Sequence, residues 1–198
     1  MLALRACVIA ASSVLLASAA VTASALSASR FDDGSFENPK APANSFTELS
    51  AGQLIGPWQV ISGTVDLIGA GFWQAAEGDQ SVDLNGAGPG AVSQTFTTVP
   101  GATYTVSYAL SGNPAGPTSV IKTGTASVDG QNFQDFSFNN TGTSFTNMKY
   151  VKRQFTFEAT NSTTTLAFTS TTATGPYGPV LDDVRVERCA PCPTCAKG

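Results

Sequence analysis

Histidine is absent from this chain of 198 residues, and charged side chains are scarce. Without an imidazole, the catalytic triads that use histidine as a base and the histidine-ligated metal centres are excluded. Only 12% of the residues are charged and the formal net charge is −4, so the chain has no electrostatic basis for holding a phosphate backbone. We therefore expect no nucleic-acid partner.

Long apolar runs are also absent, except at the N-terminus. Residues 6–25 carry no charge, follow Arg5, and end in Ala23-Ser24-Ala25, the small-x-small pattern after which signal peptidase cleaves. We predict a signal peptide over residues 1–25 and a secreted protein that works outside the cell, in the cell wall or at the cell surface. We expect no membrane span after cleavage; an uncleaved membrane anchor is the alternative.

Cysteine is missing from the body of the chain. Cys7 lies in the predicted signal peptide, and Cys189, Cys192 and Cys195 lie within the last ten residues. No disulfide can therefore cross-link residues 26–188, and three thiols without a fourth ligand do not complete a tetrahedral zinc site. In an exported protein the odd count predicts a tail, residues 189–198, that forms disulfides, one of them to another molecule in a disulfide-linked oligomer.

The pattern that is present is strand alternation. Apolar and polar residues alternate with period two, most clearly over residues 102–110, and Gly, Pro and Asn-Gly turn signals separate the runs. No segment of residues 26–188 has a helical period, so we predict one all-β domain, a jelly-roll sandwich of nine or ten antiparallel strands. We expect an irregular entry over residues 31–44, along one edge, and strands near residues 58–61, 64–68, 80–84, 92–97, 102–110, 120–128, 151–157, 166–168 and 180–186.

Several phrases are more specific than this alternation. They include DGSFENP at residues 33–39, GTVDLI at 63–68, EGDQSVDLNG at 77–86 and GPYGPVLDDV at 175–184. In this order they resemble the choice-of-anchor C family, which is related to the secreted plant cell-wall proteins of domain of unknown function 642. The resemblance implies a galactose-binding-like jelly roll, the fold of many carbohydrate-binding modules, and an association with wall polysaccharides and with pectin-modifying enzymes.

The resemblance also implies one structural Ca²⁺. Modules of this fold that open with a Gly-x-Phe-Glu phrase and close with Asp-Asp-Val often hold the ion where their ends meet, and the matching residues are Glu37 and Asp182. Leu181 and Val184 fall on opposite faces of the last strand, which predicts a bulge that turns an aspartate inward. The alternative is that both carboxylates only accept hydrogen bonds from neighbouring backbone amides.

A sugar site needs an aromatic platform and hydrogen-bonding side chains. Trp73 and Tyr177 lie in Gly-containing phrases without strand alternation, so we predict that they form the platform, with Trp73 exposed on a groove. The alternative is that both rings lie in the core, as most aromatic residues of a sandwich do. The hydrogen-bonding candidates are Gln74, Glu77 and Asn113. Trp58, Phe96, Tyr104 and Tyr108 have the pattern of core residues.

These features favour a secreted, non-catalytic carbohydrate-binding protein that attaches to cell-wall or other extracellular polysaccharide. A second hypothesis is an extracellular interaction module that docks on wall-modifying enzymes or forms part of a surface coat. The weakest is a glycoside hydrolase that uses two carboxylates, because nothing in the sequence sets one acidic residue as acid and another as base.

Overall fold

The computed structural model describes residues 30–116, 121–173 and 175–189. The predicted signal peptide, Cys192 and Cys195 lie outside these ranges. The described residues contain no helix, and so none that could cross a membrane. They form twelve strands: β1 (Phe46–Ser50), β2 (Leu54–Ile55), β3 (Trp58–Ser62), β4 (Thr64–Ile68), β5 (Ser81–Asp83), β6 (Ala91–Thr97), β7 (Thr103–Gly112), β8 (Ile121–Val128), β9 (Gln131–Asn139), β10 (Val151–Glu158), β11 (Thr163–Ser170) and β12 (Pro179–Arg188).

The strands make two antiparallel sheets of six. The first sheet has the order β1-β4-β5-β12-β7-β10 and the second has the order β2-β3-β6-β11-β8-β9. The predicted all-β sandwich is therefore confirmed, and each of the nine predicted strands overlaps an observed one. The prediction missed β1, β2 and β9, which lie at sheet edges, where a strand needs less apolar alternation because one side meets solvent.

The core lies between the two sheets and is built from the alternating apolar residues. Trp58 on β3 is completely buried, and its Nε1 donates a hydrogen bond to the carbonyl oxygen of Asp33 at 3.0 Å. Its ring contacts Phe36 and Phe168, with centroids 5.2 and 6.2 Å away. Burying one such side chain contributes about 3 kcal/mol, so the centre of the sandwich is held by aromatic packing.

The entry strap, residues 31–37, fastens the two sheets to each other. The side chain of Gln94 on β6 makes two hydrogen bonds to the backbone of Asp32, at 2.9 and 2.8 Å. The carbonyl oxygen of Gly34 accepts a hydrogen bond from the backbone of Val184 on β12, so closely that a Cβ on Gly34 would lie 1.8 Å from the carbonyl oxygen of Val184. The strap is irregular, as predicted, but it bridges both sheets and inserts Phe36 into the core.

The outer face of the first sheet is also covered. Val65 and Leu67 of β4 point into the core, so Asp66 and Ile68 point to the opposite face. Residues 69–80 and 140–150 fold over this face and make a second apolar cluster with Ile68, Trp73, Met148 and Val180. Polar side chains beneath this cover, among them Asp66 and Asp83, are therefore buried rather than solvated.

Candidate functional site

An aromatic pocket of about 260 Å³ opens on the outer face of the first sheet. Strands β1 and β4, the covering loop after β4, the end of β7 and the loop before β12 all contribute to it. Its walls include Phe46, Asp66, Phe72, Trp73, Asn113 and Tyr177. The fold thus brings together three of the five predicted carbohydrate-binding residues, Trp73, Asn113 and Tyr177, from distant parts of the chain.

Trp73 is not the exposed platform that the sequence predicts. Its side chain is only 5% exposed, and its Nε1 donates a hydrogen bond to the Ser81 hydroxyl at 2.8 Å. The prediction of an exposed ring is wrong because the covering loop packs Trp73 against Ile68 and Val180. One edge of the residue still reaches the pocket wall.

The exposed rings beside Trp73 belong to two phenylalanines. Phe46 is 45% exposed and Phe145 is 41% exposed. Each ring packs edge-to-face on Phe72 with centroids 5.7 Å apart. We call Phe46, Phe72, Trp73 and Phe145 the aromatic ridge. Sequence reasoning missed Phe46 because it begins β1, an edge strand whose alternation is too short to recognise.

Asp66 is the carboxyl group on the pocket wall. Its side chain is 6% exposed, and its Oδ1 is buried without a hydrogen-bond partner. Burial, together with the neighbouring charge of Glu48, raises the pKa of Asp66 to about 7. An unpartnered buried carboxyl group destabilises the fold, and such groups occur preferentially where a ligand supplies the missing partner.

Asp83 lies directly across from Asp66 on the neighbouring strand β5, and its environment is different. It is completely buried, and it accepts hydrogen bonds from the Asn85 amide at 2.9 Å, the Gly178 amide at 3.1 Å and the Asn113 side chain at 2.7 Å. Burial still raises its pKa to about 8, because the three donors offset only part of the desolvation. Both of its oxygens are therefore engaged inside the protein.

The loop that carries Tyr177 is held by buried side chains along its length. We call residues 175–178 the clamped loop. Four side chains bond its backbone. The side chains of Asn85, Asn113 and Lys122 donate to the carbonyl oxygens of Gly175 at 2.8 Å, Pro176 at 3.3 Å and Tyr177 at 2.6 Å, and the Gly178 amide donates to Asp83. Tyr177, which is half-buried, is thereby fixed at the pocket wall before any ligand arrives.

Asn113 has a structural role in this arrangement. Its Nδ2 donates to Asp83 and to Pro176, and its Oδ1 accepts a hydrogen bond from the Ala115 amide at 2.8 Å. The predicted use of this amide as a sugar contact is therefore not supported by its geometry, since its donors and its acceptor already have protein partners. Asn113 builds the wall on which the clamped loop rests.

Gln74 and Glu77 lie outside the aromatic pocket. Gln74 lines a separate depression of about 310 Å³ with Lys149 and Lys152, and its Oε1 accepts the Met148 amide at 3.1 Å. Glu77 is exposed on the covering loop. The prediction grouped them with Trp73 because they are neighbours in sequence, whereas the loop turns their side chains away from the pocket.

The two predicted calcium ligands hold the covering loop from either side. Glu37 Oε1 accepts the amides of Asp79 and Gln80, both at 2.8 Å, and its Oε2 pairs with Lys40. The hydrogen bonds and the ion pair of Lys40 lower the pKa of Glu37, although burial opposes them.

Asp182 bonds the same loop further along. Its Oδ2 accepts the amides of Ala76 at 2.7 Å and Glu77 at 3.1 Å, and burial raises its pKa to about 7. The predicted bulge is confirmed, because the register of β12 shifts between Asp182 and Arg185. Both carboxylates thus have the alternative role, that of backbone acceptors.

Calcium does not fit this arrangement without rearrangement. The residues that the structure describes contain no group of three acidic or cysteine side chains that could hold a metal ion. The oxygens of Glu37 and Asp182 would have to release backbone amides to take Ca²⁺ as a ligand. Calcium binding stays a prediction.

Residues 29–187 match the family model described as DUF642, a protein of unknown function. The chain belongs to this family. It is 30% identical over 160 residues to halomucin of Haloquadratum walsbyi, an alignment that covers 78% of this chain and 2% of halomucin. This DUF642 chain therefore spans about 2% of the length of that relative.

Solved structures similar to this DUF642 domain include two carbohydrate-binding modules. A family 35 module from Paenibacillus barcinonensis is 16% identical, with a TM-score of 0.45 over 71% of this chain and 98% of the module. TmCBM61, solved in complex with β-1,4-galactotriose, is 18% identical, with a TM-score of 0.49 over 68% of this chain and 90% of that one. At such identities the ligand has to be inferred from the residues of this chain.

The cysteine tail of this DUF642 chain begins at the end of β12. Cys189 is exposed and is a free thiol among the described residues, with its Sγ 3.3 Å from the Thr105 hydroxyl. The predicted disulfide partners lie outside the described ranges. Disulfide-linked oligomers stay a prediction, which non-reducing gel electrophoresis tests.

Proposed function

We propose that this DUF642 domain binds carbohydrate in the aromatic pocket. The observation that carries the proposal is a pocket lined with aromatic rings whose wall contains a buried aspartate, Asp66, with an oxygen that lacks a hydrogen-bond partner. A sugar ring has apolar C–H faces and hydroxyl donors, so it matches both parts of this surface. A purely apolar ligand would leave the aspartate without a partner.

The residues divide the work of recognition. Phe46 offers an accessible ring face at the mouth of the pocket, and Tyr177 forms another wall. Asp66 accepts a hydrogen bond from a ligand hydroxyl, which also relieves the cost of its burial. Because the clamped loop is already ordered, binding does not have to immobilise it. Less conformational entropy is therefore lost on binding, which favours affinity.

We further propose that the protein is secreted and attaches, without catalysis, to cell-wall or other extracellular polysaccharide. The signal-peptide pattern of residues 1–25 supports export. A binding role is favoured over glycoside hydrolysis because hydrolysis needs two carboxyl groups at the substrate. Asp66 reaches the pocket, but its neighbour Asp83 is completely buried and engaged by three donors.

The test is gel electrophoresis of the mature chain in gels that contain soluble polysaccharides, with Phe46→Ala as the variant. We expect retardation by at least one polysaccharide, weakened about tenfold in affinity by the loss of one stacking ring. Ile61→Ala is the matched control, since Ile61 is equally exposed, at 47%, but lies on the second sheet. Retardation that is unchanged in the Phe46 variant contradicts the site.

The second candidate, an interaction module that docks on wall-modifying enzymes or a surface coat, is favoured by the exposed rings of the aromatic ridge. Exposed neighbouring apolar side chains mark many protein-binding surfaces. The same gels separate the two candidates. Capture of a wall enzyme that depends on Phe145, without retardation by any polysaccharide, is the outcome expected of the interaction module.

A further inference from the structure

Three acidic residues lie in one row across the first sheet. The strand register places Glu48 of β1 opposite Asp66 of β4, and Asp66 opposite Asp83 of β5. Like charges directly opposite each other on neighbouring strands destabilise a sheet. The row of acidic residues therefore lowers the stability of the sheet.

Little positive charge offsets this row. The salt bridges of the described residues involve Glu37 and Asp183, and none of the three acids in the row. Glu48 accepts the Ala87 amide at 2.6 Å, and Asp83 has its three internal donors. Lys122 lies close enough to Asp83 to feel its charge, but its Nζ donates to the Tyr177 carbonyl. Asp66 lines the pocket and has one oxygen without a hydrogen-bond partner.

The rest of the pocket wall also favours positive charge. The faces of Phe, Tyr and Trp rings carry negative partial charge and attract ammonium groups within about 6 Å. Phe46, Phe72 and Tyr177 supply such rings around Asp66. A carboxylate among aromatic rings is complementary to an ammonium group and repels a carboxylate ligand.

We propose that the aromatic pocket selects glycans that carry a free amino group, with Asp66 as the ion-pair partner of the ammonium, over neutral and acidic glycans. This inference rests on the proposed carbohydrate-binding function and names the ligand class for the same pocket. It also assigns the role of the acidic row, because Glu48 adds negative potential at Asp66.

The pH dependence of binding follows from the groups that face Asp66. Burial and Glu48 raise the pKa of Asp66 to about 7. Asp83 on β5, with a pKa of about 8, is mostly protonated in this range, and Lys122 on β8 interacts with Asp83. Below about pH 7 the carboxyl group of Asp66 has to release a proton before it pairs with an ammonium group. Affinity for an amino sugar therefore rises with pH until the ligand amine itself loses its proton.

The experiment compares one oligosaccharide in two forms. Isothermal titration at about pH 6.5 uses glucosamine oligomers with free amines and the same oligomers fully N-acetylated, with an oligogalacturonate as the acidic probe. We expect the free amine to bind at least about tenfold more tightly than the acetylated form, and the acidic probe to bind least. In Asp66→Asn the preference for the amine falls to within about twofold.

Asp135→Asn is the matched control, because Asp135 is exposed on β9 of the second sheet and the substitution makes the same chemical change away from the pocket. It keeps the preference. Equal binding of the amine and acetylated forms, or a preference that survives in Asp66→Asn, overturns the inference while carbohydrate binding stands. If neither these probes nor neutral polysaccharides bind, the inference and the proposed function both fail.

Discussion

The burial of Asp66 makes a quantitative prediction about the stability of the unliganded protein. In the folded chain its pKa is about 7, against 3.8 in an exposed setting. The folded state therefore holds a proton that the unfolded state loses between about pH 4 and pH 7. Because the unfolded state binds fewer protons in this window, the free energy of unfolding falls as the pH rises through it. Above about pH 7 the loss is complete.

The size of the effect follows from the same values. A shift of about three units corresponds to a ceiling of about 4 kcal/mol. The pocket brings water close to Asp66, so the effective dielectric is high and we expect about half of this, ~2 kcal/mol. The side chain in Asp66→Asn cannot ionise, so the free energy of unfolding of this variant does not fall in this way as the pH rises. The variant should thus be about 2 kcal/mol more stable than the wild type at pH 8 and equally stable at pH 4.

Urea unfolding at pH 4, 6 and 8, followed by tryptophan fluorescence, measures these differences. The comparison requires that the slope of the free energy of unfolding against urea concentration be the same in the variant and the wild type. Asp135→Asn controls for net charge and should stay within about 0.5 kcal/mol of the wild type at each pH. A variant of Asp66 that is less stable than the wild type at pH 8, or whose advantage is the same at pH 4 and pH 8, would refute the reasoning.

Three further predictions concern the clamped loop, the core and the predicted calcium ligands. Lys122→Met removes one hydrogen bond to the clamped loop while preserving side-chain length. We expect glycan affinity, measured by isothermal titration, to fall about fivefold. The far-ultraviolet circular dichroism spectrum should stay like that of the wild type. Trp58→Phe removes a buried hydrogen bond and leaves a cavity, and urea unfolding should report a loss of about 2 to 4 kcal/mol. A calcium site at Glu37 and Asp182 requires that EDTA lower the melting temperature; an unchanged melting temperature contradicts it.

The sandwich was predictable because the period-two alternation is local. A run such as residues 102–110 indicates its own secondary structure, and the resemblance to the family implied the jelly-roll fold. Strand β9 was missed for the same reason, since its sequence, QNFQDFSFN, places Asn, Gln and Asp among the phenylalanines of an edge strand. Its core-facing residues, Phe136 and Phe138, become recognisable only once β8 lies beside them.

The site was harder to predict because it depends on covering segments that are distant in sequence. Alternation in β4 indicates that Asp66 faces away from Val65, but not that residues 69–80 and 140–150 bury that face. The same covering segments bury Trp73, so its ring packs in the second apolar cluster and does not form an exposed platform. A row such as Glu48, Asp66 and Asp83 requires the register of three strands, which the sequence does not contain locally.

The entry strap bears on how the domain resists proteolysis. It contacts the two sheets through hydrogen bonds and packing, at Gln94 on one side and Val184 on the other. The described residues contain no disulfide that would hold the strap in place covalently. A protease that cuts the strap while it is briefly detached would prevent it from re-forming its hydrogen bonds and from returning Phe36 to the core. The lifetime of the domain in the presence of a protease would then follow the rate at which this short segment opens, rather than the free energy of unfolding of the whole domain.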